Sequence, residues 1–448
     1  MKHSPRSLSL SLSLSFTLAG LLGGLFSTST VLAADLMQVY RDALANDAQF
    51  SAARAIAEAG REKLPQGLAG LLPTIGIAAS SAWNENIYND LQRKFNTNGY
   101  NVSLTQPLFR WQNYLQYGQS KLQVAFSEAN FAQAQQDLIL RVAQAYFDVL
   151  NAEENLKAVQ TNKVAIVQQL EQAKKNFEVG TATITDTHEA QSRYDLASAQ
   201  EIAADSDLEI KRYALRLIVG KDCGELNRLK PQATMAPPQP ASMDNWVDAA
   251  EKNSFVVQAQ QAATEVAALE VERNRAGHYP TLDALVNYGE SYAGASQFGA
   301  SRLEVTTRNI GVQLNIPLYQ GGLISSKVRE ATANRDATLS ALESAKRSAA
   351  LGARQSYLGV VNGLAQVRAL EAALVSSTSA LESNKLGYEV GVRINIDVLN
   401  AEQQLYSTQR DLAKSRFDTL LAQLKLKAAI GSLGENDLQQ VNALFEAK

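Results

Sequence analysis

The 448-residue sequence predicts a mixed α and β membrane protein that is duplicated within itself, each half carrying two membrane-type strands and a long coiled-coil helical hairpin. Three observations carry that expectation. Landmarks of the first half recur in the second at an offset of 207 to 211 residues. Segments after Pro73 and Pro280 alternate apolar and polar residues at the period of a strand. Two stretches without proline, Leu108 to Lys230 and Leu318 to Lys448, are rich in Ala, Gln, Leu, Lys and Glu, the composition of long helices.

The first 33 residues read as a secretory signal peptide. Lys2 and Arg6 precede an apolar, serine-rich run from Leu8 to Phe26, and Val31-Leu32-Ala33 offers a small-residue cleavage site before Ala34. Ser9, Ser11, Ser13 and Ser15 interrupt the run, which argues against a spanning anchor. No cysteine follows the cleavage point, so lipid anchoring is not indicated. Beyond the signal no window is expected to reach the 18 or more apolar residues that a spanning helix needs, so insertion into a membrane is expected to use strands.

Composition excludes several functions. The precursor carries 42 basic and 45 acidic side chains, net −3, and loss of Lys2 and Arg6 takes the exported chain to −5, which gives nucleic-acid binding no support. Cys223 is the only cysteine, so neither an intrachain disulfide nor a CxxC site can form. His3, His188 and His278 are scattered without ligand spacing, and no metal or cofactor is expected. Nucleotide-binding and nucleophile-elbow motifs do not occur, so no catalytic residue is assigned and the chain is not read as an enzyme.

The repeat organises the rest. Asn46 pairs with Asn253 and Pro73-Thr74 with Pro280-Thr281 at 207, Pro107-Leu108-Phe109 with Pro317-Leu318-Tyr319 at 210, and Tyr146 with Tyr357 and Val179-Gly180 with Val390-Gly391 at 211. The first repeat is expected over 34–230 and the second over 242–448, joined by a stiff proline-rich linker at 231–241. Each opens with a helix, 36–64 or 246–276. Two strands follow, within about 73–109 and 280–317. Ile75, Ile77 and Ala79 alternate with Thr74, Gly76 and Ala78, and Ile310, Val312, Leu314 and Ile316 alternate with Asn309, Gly311, Gln313 and Asn315. Residues 84–98 and 289–307 read as polar hairpin loops. Alternation alone would suit a soluble half-buried sheet equally well.

The helices that follow tip that balance. Helical hairpins are expected over about 110–220 and 318–430. Leu138, Val142, Ala145, Val149, Ala152, Leu156, Val159, Ile166, Leu170, Ala173 and Phe177 form a 4-3 seam broken only at Lys163. A helix over 112–178 would be on the order of 100 Å long, a length that suits a conduit. Each stretch breaks once, at residues 179–186 and 390–397, where Gly180 and Gly391 end one helix and a polar residue opens the next. Four strands cannot close a membrane barrel, which needs about eight, so an oligomer sharing one barrel is expected.

These residues resemble the TolC family of outer-membrane factors over essentially the whole exported chain. The resemblance rests on Leu36-Met37-Gln38-Val39-Tyr40, Pro317-Leu318-Tyr319-Gln320-Gly321-Gly322, Gly387-Tyr388-Glu389-Val390-Gly391 and Ile396-Asp397-Val398-Leu399-Asn400-Ala401. It implies a homotrimer with a 12-stranded β-barrel, four strands per chain, continuous with a helical coiled-coil tunnel. It further implies residence in the outer membrane of a Gram-negative bacterium and contact with its lipid. Docking to a periplasmic adaptor (membrane fusion) protein and to an inner-membrane pump of the ABC, RND or MFS type is implied as well, with passive exit of drugs or type I secreted proteins and a gate at the periplasmic end.

By the same resemblance, Thr185 and Asp186 on one hairpin match the partners of Arg393 and Tyr388 on the other. Charge-assisted bonds of about 1 to 3 kcal/mol would hold such a gate yet yield to an adaptor. Asp186 followed by Glu189 reads equally as a helix N-cap box, and Tyr388 as coiled-coil packing. Asp397 matches a tunnel-entrance ring of carboxylates, one per protomer, which would favour cations; it also reads as a helix cap, and the roles are compatible. Where the family pattern carries a second acid, this chain has Asn400, leaving one ring. A trimeric coiled-coil adhesin or structural outer-membrane protein is the alternative, against which the matched glycine-containing hairpin breaks argue.

Overall fold

A computed structural model describes residues 34–88, 91–181, 183–294 and 302–446. The signal peptide assigned to 1–33 lies outside them. The first repeat contains α1 (Leu36–Asn46), α2 (Ala48–Arg61), α3 (Lys63–Ala69), β1 (Thr74–Tyr88), β2 (Leu91–Phe109), α4 (Trp111–Glu178) and α5 (Ile184–Val219). The second contains α6 (Met243–Asn253), α7 (Phe255–Arg275), β3 (Thr281–Ala293), β4 (Leu303–Asn315), α8 (Leu323–Glu389), α9 (Asn395–Ala429) and the short α10 (Glu435–Asn442).

Each opening helix, expected as one, is broken. Asp47 ends α1 and caps α2, its carboxylate accepting from the Phe50 N–H at 2.6 Å. Its counterpart at offset 207, Ser254, separates α6 from α7 in the same place. Short side-chain acceptors compete with the helical hydrogen-bond ladder, so such residues favour helix starts over interiors.

The four strands form one antiparallel sheet in the order β1-β2-β3-β4. Its register places Ile77 opposite Val102, Val102 opposite Tyr288, and Tyr288 opposite Arg308; one step nearer the helices, Ile75, Leu104, Val286 and Ile310 align. One face of the sheet is thus apolar across all four strands from the helices up to the row of Arg308, and Ile75 and Ile310 are 72% and 84% exposed on it. The other carries Thr74, Asn101, Ser103, Asn287 and Asn309. β1 and β4 each have a neighbour on one side only.

The expected polar loops are largely strand. Asn84 to Ile87 pair with Phe95 to Gln92, and Gly289 to Ala293 pair with Thr307 to Leu303. Polar side chains satisfy a ladder as well as apolar ones, because the backbone makes the bonds, and cross-strand pairs such as Glu85 with Lys94 at 3.6 Å add to it.

β2 runs into α4 and β4 towards α8, so the long helices leave the sheet at its Phe109 and Asn315 ends. At that junction Arg110 grips the buried Asp283 carboxylate through Nε and Nη2, at 2.8 and 2.6 Å. The 68 residues of α4 extend about 100 Å. Its expected seam is buried except for half-buried Leu156 and exposed Phe177. Lys163, the break in the seam, donates to Glu201 of α5 at 2.7 Å and lies over the Tyr194 ring. Partner seams run at seven-residue intervals, Ala190, Ala197 and Ala204 on α5 and Ala353, Val360 and Val367 on α8. α8 also holds an 18-residue window of mean hydropathy 1.3, apolar enough by length and composition to cross a membrane, which corrects the expectation that no helix would be. Only 11% of that window is buried in the single chain. Alanine-rich coiled-coil faces raise mean hydropathy without forming a continuous apolar run.

The largest core closes around the middle of α4, where Leu36 and Val39 of α1, Leu138, Val142, Tyr146 and Leu150 of α4, Leu420 and Leu424 of α9 and Leu438 of α10 meet. Tyr146 hydrogen-bonds the carbonyls of Ala34 and Asn227. Tyr357, its repeat mate, donates to the carbonyl of Ala241, which stands 207 residues beyond Ala34. The duplication therefore extends to matched tyrosine-to-backbone ties that fasten each half's first residues to its long helix.

Candidate gate at the helical tips

Both hairpins turn in the same way. Gly180 and Gly391 adopt φ of 76° and 78°, where a Cβ would be strained, and each follows a helix end. Thr181 N–H bonds the Asn176 carbonyl and Gly180 N–H that of Phe177; Val392 and Gly391 bond Gly387 and Tyr388 in the same pattern. These are paired Schellman stops. Thr183 then caps α5 through a full capping box, its hydroxyl accepting from Asp186 N–H at 3.3 Å while Asp186 accepts from Thr183 N–H at 2.9 Å. At the matched start of α9 stands Ile394, whose side chain has no oxygen, so only the return bond from Ile394 N–H to Asp397 is made, at 3.4 Å.

These turns bring Asn176, Thr181, Asp186, Tyr388 and Arg393 around one cleft between the two tips. Within the chain, Tyr388 and Asp186 line the cleft without bonding each other. The Tyr388 hydroxyl accepts from the Asn176 amide at 3.1 Å, whereas Asp186 is occupied by its own cap. Arg393 lies 3.7 Å from Asp397 one turn along, and Thr185 is exposed on the first turn of α5 without a bond to Arg393. Asp397 is therefore both helix cap and neighbour of Arg393. Asn400 accepts from Arg193 of α5 at 3.1 Å, which joins α5 and α9 behind the tips.

Two members escaped the sequence reading. Asn176 precedes the last seam residue of α4 and carries no motif. Glu402 could have been found, because it sits between Leu399 and Tyr406 at seam spacing on α9, where a carboxylate is unexpected. It is 6% exposed, and Lys385 Nζ of α8 stands 3.2 Å from its Oε1. Its Oε2 and the Gln169 Oε1, both buried, have no protein hydrogen-bond partner, and both residues line a second cavity shared with Tyr388. Among the described residues no group of three or more His, Cys, Asp or Glu side chains could hold a metal ion.

The sequence profile of the outer membrane efflux protein family matches residues 39–221 and 246–432, one match in each repeat. The chain is 33% identical over 418 residues to the outer membrane protein TolC of Vibrio cholerae, covering 93% of this chain and 95% of the relative. It is 32% identical over 420 residues to the alkaline protease secretion protein AprF of Pseudomonas aeruginosa, covering 92% and 87%. Among solved structures, the CmeC outer membrane channel of Campylobacter jejuni superposes with a TM-score of 0.77 at 18% identity, covering 98% of each chain.

Proposed function

The chain belongs to the outer membrane efflux protein family, and on that premise we propose that three copies close one 12-stranded barrel and one helical tunnel. It is an exit channel of the outer membrane, serving efflux or type I secretion. The observation that carries the trimer is the four-stranded sheet itself, apolar on one face over the stretch nearest the helices and open at both edges. An isolated sheet of that kind would leave the ladder groups of β1 and β4 unpaired in lipid, at several kcal/mol for each group. Pairing β4 of one copy with β1 of the next removes both edges, and lipid takes the apolar face. Exposed Leu351, Leu358, Val361 and Val375 on α8 gain partners in the same assembly.

The duct moves cargo without chemistry of its own. A periplasmic adaptor and an inner-membrane pump of the ABC, RND or MFS type supply cargo and energy. The cleft between the tips is the gate, where Arg393 and Thr185 reach across when three copies converge. Cysteines placed at the outer edges of β1 and β4, with Cys223 replaced, are expected to cross-link into a covalent trimer that conducts in planar bilayers. A monomer that neither cross-links nor conducts would overturn this reading.

A further inference from the structure

The apolar face of the sheet ends abruptly, and what replaces it has a chemistry of its own. On β4, Leu314, Val312 and Ile310 point outward, in line with Ile316 just past the strand's end, and the next outward side chain is Arg308. Eight residues separate Ile316 from Arg308. At about 3.3 Å per residue and a tilt of about 40° they rise roughly 20 Å, close to the full apolar band of an outer-membrane barrel. Arg308 therefore stands at the rim of the hydrocarbon furthest from the tunnel helices.

Its surroundings are aromatic. The Arg308 guanidinium lies 5.7 Å from the Tyr288 ring centre, and Tyr100 packs on Tyr288 at 6.3 Å. Further out on the same face, Arg302 lies 5.5 Å from the Tyr292 ring centre. Stacking fixes both guanidinium groups without consuming their N–H donors. Among the described residues neither arginine forms an ion pair. Glu304 shares the face, opposite Tyr292 on the neighbouring strand; the other carboxylate, Glu290, accepts from the Tyr288 hydroxyl at 2.9 Å on one oxygen and from the Tyr292 hydroxyl at 3.1 Å on the other. Both its oxygens are thus held by phenols, which spreads its charge and leaves the arginine forks open.

We propose that this rim is a seat for the phosphorylated headgroup of a membrane glycolipid, with Arg308 taking a phosphate at the hydrocarbon boundary and Arg302 a further anionic group above it. Continuity selects the occupant: a lipid whose chains cover Ile310, Val312 and Leu314 places its headgroup at Arg308 and nowhere else on the strand. Charge selects the class, since planar guanidinium forks match phosphate oxygens bidentately. The proposal rests on the reading of the sheet as part of a barrel.

Native mass spectrometry of the detergent-solubilised trimer tests it, with added bisphosphorylated lipid A, fully dephosphorylated lipid A or inorganic phosphate. The wild type is expected to retain up to three bisphosphorylated lipids per trimer. It should bind the dephosphorylated form about tenfold more weakly, and equimolar inorganic phosphate should not displace the lipid. R302Q/R308Q should lose that tenfold preference while conducting like the parent, and R308K should keep part of it. Equal retention of both lipids by the wild type, unchanged retention by R302Q/R308Q, or displacement by inorganic phosphate would overturn the seat. A protein that fails to conduct or trimerise would instead count against the barrel reading.

Discussion

The Asn176 amide donates to the Tyr388 hydroxyl at 3.1 Å and so joins the tip of α4 to the tip of α8, across the boundary between the two repeats. The bond is half-exposed and stands alone, because Asp186 is committed to its own helix cap and Arg393 to Asp397. A single such bond contributes about 0.5 to 1.5 kcal/mol, enough to hold the two tips together without welding them.

Replacing Tyr388 by Phe and Arg393 by Ser is therefore expected to loosen the tips. The phenol oxygen and the guanidinium are lost, while their former partners turn to water at an exposed surface, and every buried seam residue is kept. Single-channel conductance should rise several-fold with the protein's melting temperature almost unchanged. If conductance equals the parent's while the fold is intact, these side chains only cap and pack.

Behind the tips, Lys385 and Glu402 form a pair whose partners differ in exposure: the carboxylate is buried, the ammonium half in water. Lys385→Met should destabilise the α8–α9 hairpin by about 1 to 3 kcal/mol, since it strands a buried charge; fully buried pairs cost more. The double variant Lys385→Met, Glu402→Met should recover most of that loss. A double-mutant cycle in denaturant with purely additive effects would show that the pair is not coupled.

The repeat, the hairpin breaks and the α4 seam were legible because each follows a period or a backbone rule: 207 to 211 for the duplication, 4-3 spacing for the coil, glycine for the left-handed turn. The strand ends were not, because Asn84, Asn86 and Asn96 look like loop residues, yet only their backbones enter the ladder. The helix breaks at Asp47 and Ser254 hid inside helix-forming composition. At the tips the sequence singled out Asp186, Tyr388 and Arg393, which line the cleft, together with Thr185, which does not, and it did not find the partners these side chains take within one chain. Asp186 serves a three-residue local cap and a cross-hairpin contact with equal plausibility on paper, and within one chain the local bond is made.

Asp397→Asn is expected to weaken cation preference and block by polyvalent cations. With Asn400 turned to Arg193, Asp397 is the acid left at that turn, and three copies would bring three carboxylates to the tunnel mouth. Asparagine keeps the oxygen that accepts from Ile394 N–H, so the cap survives and stability should move by less than about 1 kcal/mol. Reversal potentials in a salt gradient read the outcome. Unchanged selectivity would leave Asp397 a cap and nothing more.

The last prediction concerns acid. Arg141 of α4 holds the Asp47 carboxylate by two hydrogen bonds, Nη1 to Oδ2 at 2.9 Å and Nη2 to Oδ1 at 3.0 Å, while the same carboxylate caps α2. The second repeat has Ser254 and Gly352 at the matching places, so this clamp exists only once. The Arg141 hydrogen bond is the main reason the Asp47 carboxyl sits below its ordinary value, against the opposing effect of burial. In the unfolded chain the group titrates near its usual value of about 3.9. Between that value and the lower folded one, the unfolded state binds the extra proton, so stability falls as pH falls. The clamp's contribution is complete above about pH 5 and drains away as pH drops below about 4. Asp47→Asn preserves the cap but removes the charge, leaving Arg141 partly shielded without its anion. At pH 7 the variant should be less stable by about 1 to 3 kcal/mol, and the gap should close towards pH 3. Denaturant midpoints of the two proteins across that range decide it. A gap that is the same at pH 7 and pH 3 would mean that the clamp works through its cap and packing and not through its charge.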